Sequence, residues 1–373
     1  MQQQINPKSL LGLDLQELTE LVEAAEEPAY RAKQFFQALY SERVTSPDQI
    51  STLPRDFRLN LARQGISVGL PTIERKFVSS DGTVRYLLRL TDGETIETVW
   101  MPEGDGGESG DGSEADEGSI NSEARRSRAT ICVSSQSGCA VNCQFCLTAL
   151  LGIKRNLSAG EIVGQVIVLL QDQNVCLPLE RVNLVFMGMG EPFLNYESFM
   201  KAVRLLVAGV GIPQSRMTVS TAGIVPRIYD LGHEEIRPKL AISLNASNDS
   251  IREELMPINR KWNLEKLLGA ARDFPLRNRE RLTFEYVLLK DKNDQKEHAR
   301  ELAELVRGIY CKVNLIAWNS GPGIPFGTPA EAAVLQFQKI LRATGVPAFI
   351  RRPRGRDIFA ACGQLKRTVE AAT

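Results

Sequence analysis

Three cysteines have the spacing most suited to chemistry in this chain. They lie in the segment Ser137-Gly-Cys139-Ala-Val-Asn-Cys143-Gln-Phe-Cys146, with the pattern C-x3-C-x2-C. Iron–sulfur clusters that only transfer electrons normally have four cysteine ligands. A cluster with three would leave one iron without a protein ligand, much as a catalytic zinc keeps an open position. The spacing therefore predicts a 4Fe–4S cluster on which a small molecule can bind.

S-adenosylmethionine (SAM) fits such an open iron, because its amino and carboxylate groups can chelate a metal. One electron from the cluster can then break the sulfonium bond and release a 5′-deoxyadenosyl radical, which is the chemistry of radical-SAM enzymes. A structural zinc site is the alternative, but it requires a fourth ligand. The two histidines, His233 and His298, do not lie in a pair with ligand spacing. The cysteines therefore predict an enzyme.

A second motif, Phe186-Met-Gly188-Met-Gly190-Glu191-Pro192, follows a predicted strand. Its glycines let the backbone approach a ligand closely, and the Glu191 carboxylate and carbonyls near Gly190 suit the ammonium group of methionine. Other strand ends carry small polar groups, suited to carboxylate, ribose and adenine edges or simply to turns. These residues are Ser220, Ser243, Leu244, Asn245 and Asn319.

Strand-like and helix-like segments alternate from Arg128 onward, which predicts an α/β fold. The predicted strands are 129–134, 181–187, 217–220, 239–244, 282–288, 312–318 and 348–351. The predicted helices are 159–172, 196–207, 263–271, 295–307 and 330–343. Repeated units of this length build a full or partial TIM-like barrel of the radical-SAM type, with its functional residues at the carboxyl ends of the strands.

The remaining segments predict a chain with five parts. These are a small N-terminal helical accessory domain (1–75) that contacts RNA or merely caps the barrel, a two-stranded β extension (76–102), a disordered acidic insertion (103–127), the barrel (128–345) and a C-terminal segment (346–373). The insertion lacks the apolar residues that a core requires.

The net charge of zero hides an uneven distribution. The chain has 45 basic and 45 acidic residues, but eight of the acids lie in residues 103–123, which contain no Lys or Arg. The rest therefore has 45 basic and 37 acidic residues, a net charge of +8. A polyanionic substrate is compatible with this distribution, because steering depends on the local field.

Two further cysteines lie in motifs that, together with other segments, resemble those of a known protein family. Cys132 precedes the cluster loop, and Cys362 lies in the segment Asp357-Ile-Phe-Ala-Ala-Cys362-Gly-Gln-Leu. With Ile96-Glu97-Thr-Val, Gly188-Met-Gly-Glu-Pro and Asn314-Leu-Ile-Ala-Trp-Asn319, the chain resembles the RlmN/Cfr family of radical-SAM RNA methyltransferases, and the RlmN branch more closely. It departs from the family in the acidic insertion and at Asn245, where many members have His.

The resemblance implies methylation of carbon 2 of an adenosine in 23S rRNA and in certain tRNAs, with two SAM molecules. Cys362 would accept a methyl group from the first. The radical from the second would activate that methyl for addition to adenine, and Cys132 would release the product by removing a proton and forming a disulfide with Cys362. Glu97 would be the proton acceptor, and the strand-end residues would bind SAM. Cys139, Cys143 and Cys146 would hold the cluster.

The alternatives are a Cfr-type methyltransferase of carbon 8 and a non-catalytic iron–sulfur protein that binds RNA. We expect an electron donor such as flavodoxin or ferredoxin as a partner, a monomer, and no membrane association. An oxygen-sensitive cluster and unpaired cysteine spacing indicate the cytoplasm.

Overall fold

The computed structural model of the chain describes residues 9–102, 128–319, 323–351, 354–360 and 363–365. The predicted acidic insertion (103–127) and Cys362 lie outside these ranges. The five-part division of the chain therefore stays a prediction.

The described residues contain twelve β-strands in two sheets. They are β1 (Thr72–Val78), β2 (Val84–Arg89), β3 (Thr95–Pro102), β4 (Arg128–Cys132), β5 (Gln136–Gly138), β6 (Ile153–Asn156), β7 (Arg181–Phe186), β8 (Met217–Thr221), β9 (Lys239–Ser243), β10 (Leu282–Leu288), β11 (Cys311–Ala317) and β12 (Ala348–Arg351). Ten strands form one sheet in the order β1-β2-β3-β4-β7-β8-β9-β10-β11-β12, and β5 pairs with β6 alone.

Ten α-helices accompany the strands in the described ranges. They are α1 (Leu15–Ala24), α2 (Arg31–Phe36), α3 (Arg55–Arg63), α4 (Ala159–Asp172), α5 (Tyr196–Leu205), α6 (Val225–His233), α7 (Asp249–Leu255), α8 (Leu264–Asp273), α9 (Lys296–Leu305) and α10 (Glu331–Ala343). Ser158 and Glu161 form a capping box at the start of α4, where it satisfies two backbone donors.

The seven strands from β4 to β12 in the large sheet are all parallel. Helices connect them, as parallel strands require. Within the described residues no pairing joins β12 back to β1, so the sheet is open. This confirms the predicted α/β fold. Of the two predicted alternatives, a full and a partial barrel, the structure has the partial barrel.

The β extension has three strands, so the expectation of two was wrong. β1 was missed because it is an edge strand whose sequence, Thr-Ile-Glu-Arg-Lys-Phe-Val, is mostly exposed and charged, a common way to protect an open edge. β1 also begins before the predicted division at residue 75. Strands β1 to β4 are antiparallel neighbours, so the extension continues the barrel sheet.

The N-terminal helices pack against the outside of the barrel. The backbone of Gly12 is so close to Gly160 at the start of α4 that an added Cβ would lie 2.6 Å from the Gly160 nitrogen. The Ser41 hydroxyl donates to the Gly209 carbonyl at 2.9 Å, and Lys201 on α5 pairs with Glu17 on α1. The helices and the barrel therefore share one hydrophobic core.

Candidate active site

One cavity of about 270 Å³ opens from the barrel interior to the carboxyl ends of the strands. Most of the sequence-predicted site residues line it: Cys132, Cys139, Cys143, Cys146, Gly190, Glu191, Ser220, Ser243, Asn245 and Asn319. The fold therefore gathers residues that are up to almost two hundred positions apart in the sequence.

The three cluster cysteines lie on a loop closed at its base by the β5–β6 hairpin. Gly138 ends β5 with φ of +90°, and an added Cβ would lie only 1.9 Å from the Gly152 carbonyl oxygen. Only glycine fits there. The Trp318 indole N–H also holds the loop, since it donates to the Phe145 carbonyl at 3.0 Å.

Burial is the main cause of raised pKa values at these three thiols. It raises the pKa of Cys139 to about 12 and the pKa of Cys143 and Cys146 above their usual value, with mutual repulsion as a further cause for Cys143. Thiols with a raised pKa ionise poorly unless a cation stabilises the thiolate. Bound iron would supply that positive charge. Among the described residues no three His, Cys, Asp or Glu form a ready metal site. The three cysteines instead share one cavity wall, and their chemistry fits an iron–sulfur cluster.

Glu191 fastens two rim loops together. Its carboxylate accepts hydrogen bonds from the Phe193 N–H at 3.1 Å and the Ala222 N–H at 2.7 Å. Burial raises its pKa to about 7, although these hydrogen bonds oppose the shift. Gly190 has φ of +100°, and a Cβ there would lie 2.5 Å from the Cβ of Gln136. The close packing against Gln136 therefore requires glycine at this turn, and contact of its backbone with SAM stays a prediction.

The other predicted SAM contacts differ in what they present to the cavity. Ser220 and Ser243 place their hydroxyl oxygens 3.1 Å apart. The Asn245 side chain is engaged with the protein, since its Oδ1 accepts from the Val287 N–H at 2.9 Å. Leu244 is fully buried and does not line the cavity, so it could contribute only through its backbone.

Asn319 lies where the C-terminal segment meets the barrel. Its Oδ1 accepts hydrogen bonds from Nε and Nη2 of Arg356 at 3.2 and 3.1 Å. Its carbonyl accepts one from Gln364 at 3.3 Å. Asn319 therefore joins the predicted SAM site to the segment that contains Cys362.

Cys132 and the described residues around Cys362 meet at the same cavity. Cys132 ends β4, in register with Val99 and Val185, and is 8% exposed. Ala360 and Gly363, which are the nearest described residues on either side of Cys362, also line the cavity.

The C-terminal segment is anchored on both sides of Cys362. Before it, the Asp357 carboxylate accepts from the Ser79 hydroxyl at 2.5 Å, and Asp81 accepts from the Gly355 N–H at 2.9 Å. After it, the Gly363 carbonyl accepts from the Leu147 N–H at 2.7 Å, next to the cluster cysteines. The β1–β2 turn and the cluster loop thus hold the two ends.

Glu97 on β3 is engaged in a buried ion pair. Its side chain is fully buried, forms an ion pair with the equally buried Arg85, and is not part of the cavity wall. The guanidinium of Arg85 in turn lies over the Phe77 ring, 4.2 Å from its centroid. Within the described ranges Glu97 is not among the residues that line the cavity with Cys132 and the three loop cysteines, so its role as proton acceptor stays a prediction.

Sequence reasoning missed Arg252, which organises the rim from beneath. Its fully buried guanidinium donates to the carbonyls of Leu244 at 3.1 Å and Ala222 at 2.7 Å and to Asn259 Oδ1 at 2.9 Å. Burial lowers its pKa to about 10, so it stays charged at neutral pH. An arginine in the amphipathic segment Asp249-Ser-Ile-Arg252-Glu-Glu-Leu carries no local signal of this role.

Comparison with known proteins agrees with this geometry. Residues 133–303 match the model of the radical SAM superfamily. Residues 8–66 match that of the ribosomal RNA large subunit methyltransferase N-terminal domain. A Koribacter versatilis protein named as a probable dual-specificity RNA methyltransferase RlmN is 63% identical, over 92% of this chain and 97% of the relative. The chain belongs to the RlmN family.

Further relatives support this family membership. An Anaeromyxobacter dual-specificity RNA methyltransferase RlmN is 46% identical, over 95% of this chain and 90% of that protein. The crystal structure of a radical SAM methyltransferase from Sphaerobacter thermophilus is 41% identical, with a TM-score of 0.86, and covers 96% of this chain and 99% of that one.

Membership establishes a radical SAM methyltransferase that uses a 4Fe–4S cluster and SAM. In the ranges that the structure describes, no helix has both the length and the apolar character needed to cross a bilayer.

Proposed function

We propose that this chain methylates carbon 2 of adenosine in 23S rRNA and in tRNA. The names of its relatives support an RNA substrate of two kinds. The observation that carries the proposal is the shared cavity, in which the three cluster cysteines and Cys132 lie with residues from both sides of Cys362.

Cys139, Cys143 and Cys146 would hold the cluster, which supplies the electron that cleaves SAM to a 5′-deoxyadenosyl radical. The turn at Gly190 and Glu191 would bind the methionine part of SAM. Ser220, Ser243, Leu244, Asn245 and Asn319 would contact the rest of SAM, Leu244 through its backbone. The mutual hydrogen bond of the two serine hydroxyls shows that they face one small region.

Cys362 would accept the methyl group by nucleophilic displacement, with a new sulfur–carbon bond and release of S-adenosylhomocysteine. The 5′-deoxyadenosyl radical would take a hydrogen atom from the S-methyl group, and the resulting carbon radical would add to carbon 2 of adenine, after which the adduct would return one electron to the cluster. Cys132 would then remove the carbon 2 proton. Its thiolate would attack the Cys362 sulfur, so that the sulfur–carbon bond breaks as the disulfide forms and the carbon, once protonated, remains on the RNA as the methyl group. The anchoring of the segments on both sides of Cys362 supports this arrangement. Glu97 would act as the proton acceptor, and opening of its buried ion pair with Arg85 would free its carboxylate for that role.

The target adenine must leave its stack to enter the cavity, so the enzyme would prefer unpaired or flipped bases. The excess of basic residues outside the insertion supports attraction to RNA. We further propose a cytoplasmic monomer that receives electrons from flavodoxin or ferredoxin.

Nucleoside analysis tests the product. Ribosomal and transfer RNA from cells that lack the protein should lack 2-methyladenosine, and the wild-type gene should restore it while Cys139→Ala should not. Restoration of 8-methyladenosine instead would establish the carbon 8 alternative. Restoration in only one of the two RNA classes would contradict the proposal that both rRNA and tRNA are substrates.

A crosslinking experiment tests the roles of the cysteines. Cys132→Ala should accumulate protein joined to RNA through Cys362, identified by mass spectrometry of the crosslinked peptide. Cys176→Ala is the matched control, because Cys176 is exposed and lies outside the cavity wall, and it should turn over normally. Normal turnover by Cys132→Ala would contradict its role in product release.

A further inference from the structure

Glu285 is a buried acid in the cavity wall that neither the cluster nor the cysteine chemistry uses. It lies on β10, is 7% exposed, and borders the cavity. Its Oε1 accepts a hydrogen bond from Asn314 Nδ2 on β11 at 2.9 Å. Among the described residues no donor to its Oε2 is found. A buried carboxyl group with an available oxygen beside a cavity is suited to bind a ligand's hydroxyl or amine.

The positive charges near Glu285 favour its ionised form, which accepts hydrogen bonds. Burial raises its pKa, and the positive charges of Arg351 and Lys312 and the Asn314 hydrogen bond oppose that shift. A ligand hydroxyl that donates to the carboxylate would act in the same direction as these neighbours, because hydrogen bonds to the charged form stabilise it.

The strand order places Glu285 beside the proposed SAM contacts rather than beside the methyl-transfer cysteines. Glu285 is in direct register with Ser243 on the neighbouring strand β9, and the Ser243 hydroxyl is 3.1 Å from that of Ser220. Cys132 lies on β4, separated from β10 by β7, β8 and β9. Two hydroxyls and a carboxyl group on adjacent strands form a polar row that matches the two neighbouring hydroxyls of a ribose.

We propose that Glu285 is a further SAM-binding residue, whose carboxyl group accepts hydrogen bonds from the ribose hydroxyls of SAM. Asn314 is its positioning residue, since it holds Oε1 and thereby directs Oε2 to the cavity. This assignment rests on the proposed placement of SAM across Ser220 and Ser243. It does not depend on which RNA or which carbon is methylated.

Equilibrium dialysis with the cluster-loaded protein, without reductant or RNA, tests the assignment. The probes are SAM and its 2′-deoxy and 3′-deoxy analogues. Wild-type protein should bind SAM at least about tenfold more tightly than one or both analogues, as expected for a lost hydrogen bond to a charged acceptor. Glu285→Gln should weaken SAM binding about tenfold and discriminate much less between SAM and the analogues. Thr283→Val is the control, because Thr283 lies on the same strand but outside the cavity wall, and it should behave like wild type.

Equal binding of SAM and both analogues by the wild-type protein would overturn the proposal without any variant. If a folded Glu285→Gln variant still discriminates between SAM and its analogues as the wild type does, the proposal is also overturned, since another group would then bind the ribose hydroxyls. If Glu285→Gln loses its circular dichroism or cluster absorbance, Glu285→Asp replaces it and should show intermediate discrimination. RNA methylation that fails while discrimination persists would refute the proposed function alone.

Discussion

Replacing Arg252 by Ala should destabilise the rim of the cavity more than any surface arginine does. The guanidinium is fully buried and donates to the carbonyls of Ala222 and Leu244 and to the side chain of Asn259. Each buried acceptor that loses its donor costs about 1–3 kcal/mol. Water that enters the vacated space restores part of this, so we expect a total loss of about 3–5 kcal/mol.

The assay is thermal unfolding followed by circular dichroism, with SAM binding measured in parallel. One kcal/mol shifts the Tm of a large domain by about 2 °C, so Arg252→Ala should lower the Tm by about 6–10 °C. SAM binding should weaken as well, because Ala222 and Leu244 belong to the loops that shape the proposed SAM site. Arg252→Lys should recover only part of both losses, since one ammonium group cannot reach all three acceptors.

Arg260→Ala is the matched control, from the same connection between β9 and α8. Arg260 pairs with Glu253 at 2.9 Å, but the two side chains are 73% and 48% exposed. Such surface pairs contribute at most about 1 kcal/mol, so its Tm should fall by about 2 °C or less. If Arg252→Ala lowers the Tm no more than Arg260→Ala does, the rim is not held by this guanidinium and the reasoning is wrong.

Four further predictions concern the rest of the site and the anchor of the C-terminal segment. Gly190→Ala should weaken SAM binding by at least about tenfold, because its Cβ would lie 2.5 Å from the Gln136 Cβ; isothermal titration that shows wild-type affinity would contradict this. Cys143→Ala should lose the cluster, seen as loss of visible absorbance and bound iron, while its far-ultraviolet circular dichroism stays unchanged. Asp357→Ala should slow methylation of Cys362, measured by mass spectrometry, without changing SAM affinity. The Ser79 hydroxyl holds the pKa of Asp357 below its usual 3.8, so in wild type this anchor should persist at higher pH and weaken only as the pH falls through that lowered pKa. Faster proteolysis of the C-terminal segment already at pH 6 would contradict it.

The parallel part of the fold was readable from local patterns. Helix α4 has the predicted bounds, because its capping box and apolar periodicity are both encoded within fourteen residues and their flank. Helices α6 and α7 were not predicted, since they are short and begin after turns that look like loop sequence. β1 was missed for a different reason: an exposed edge strand needs few apolar residues.

The candidate site shows the same division between local and distant information. The spacing C-x3-C-x2-C predicts a three-thiol metal loop because its members are neighbours in the chain, and the Gly-rich turn after β7 is equally local. Only the tertiary structure placed Glu285 in register with Ser243, brought Arg252 beneath three loops, and paired the buried Glu97 with Arg85. Those relations depend on strand order and burial, which arise from long-range packing and leave no mark in the spacing of single residues.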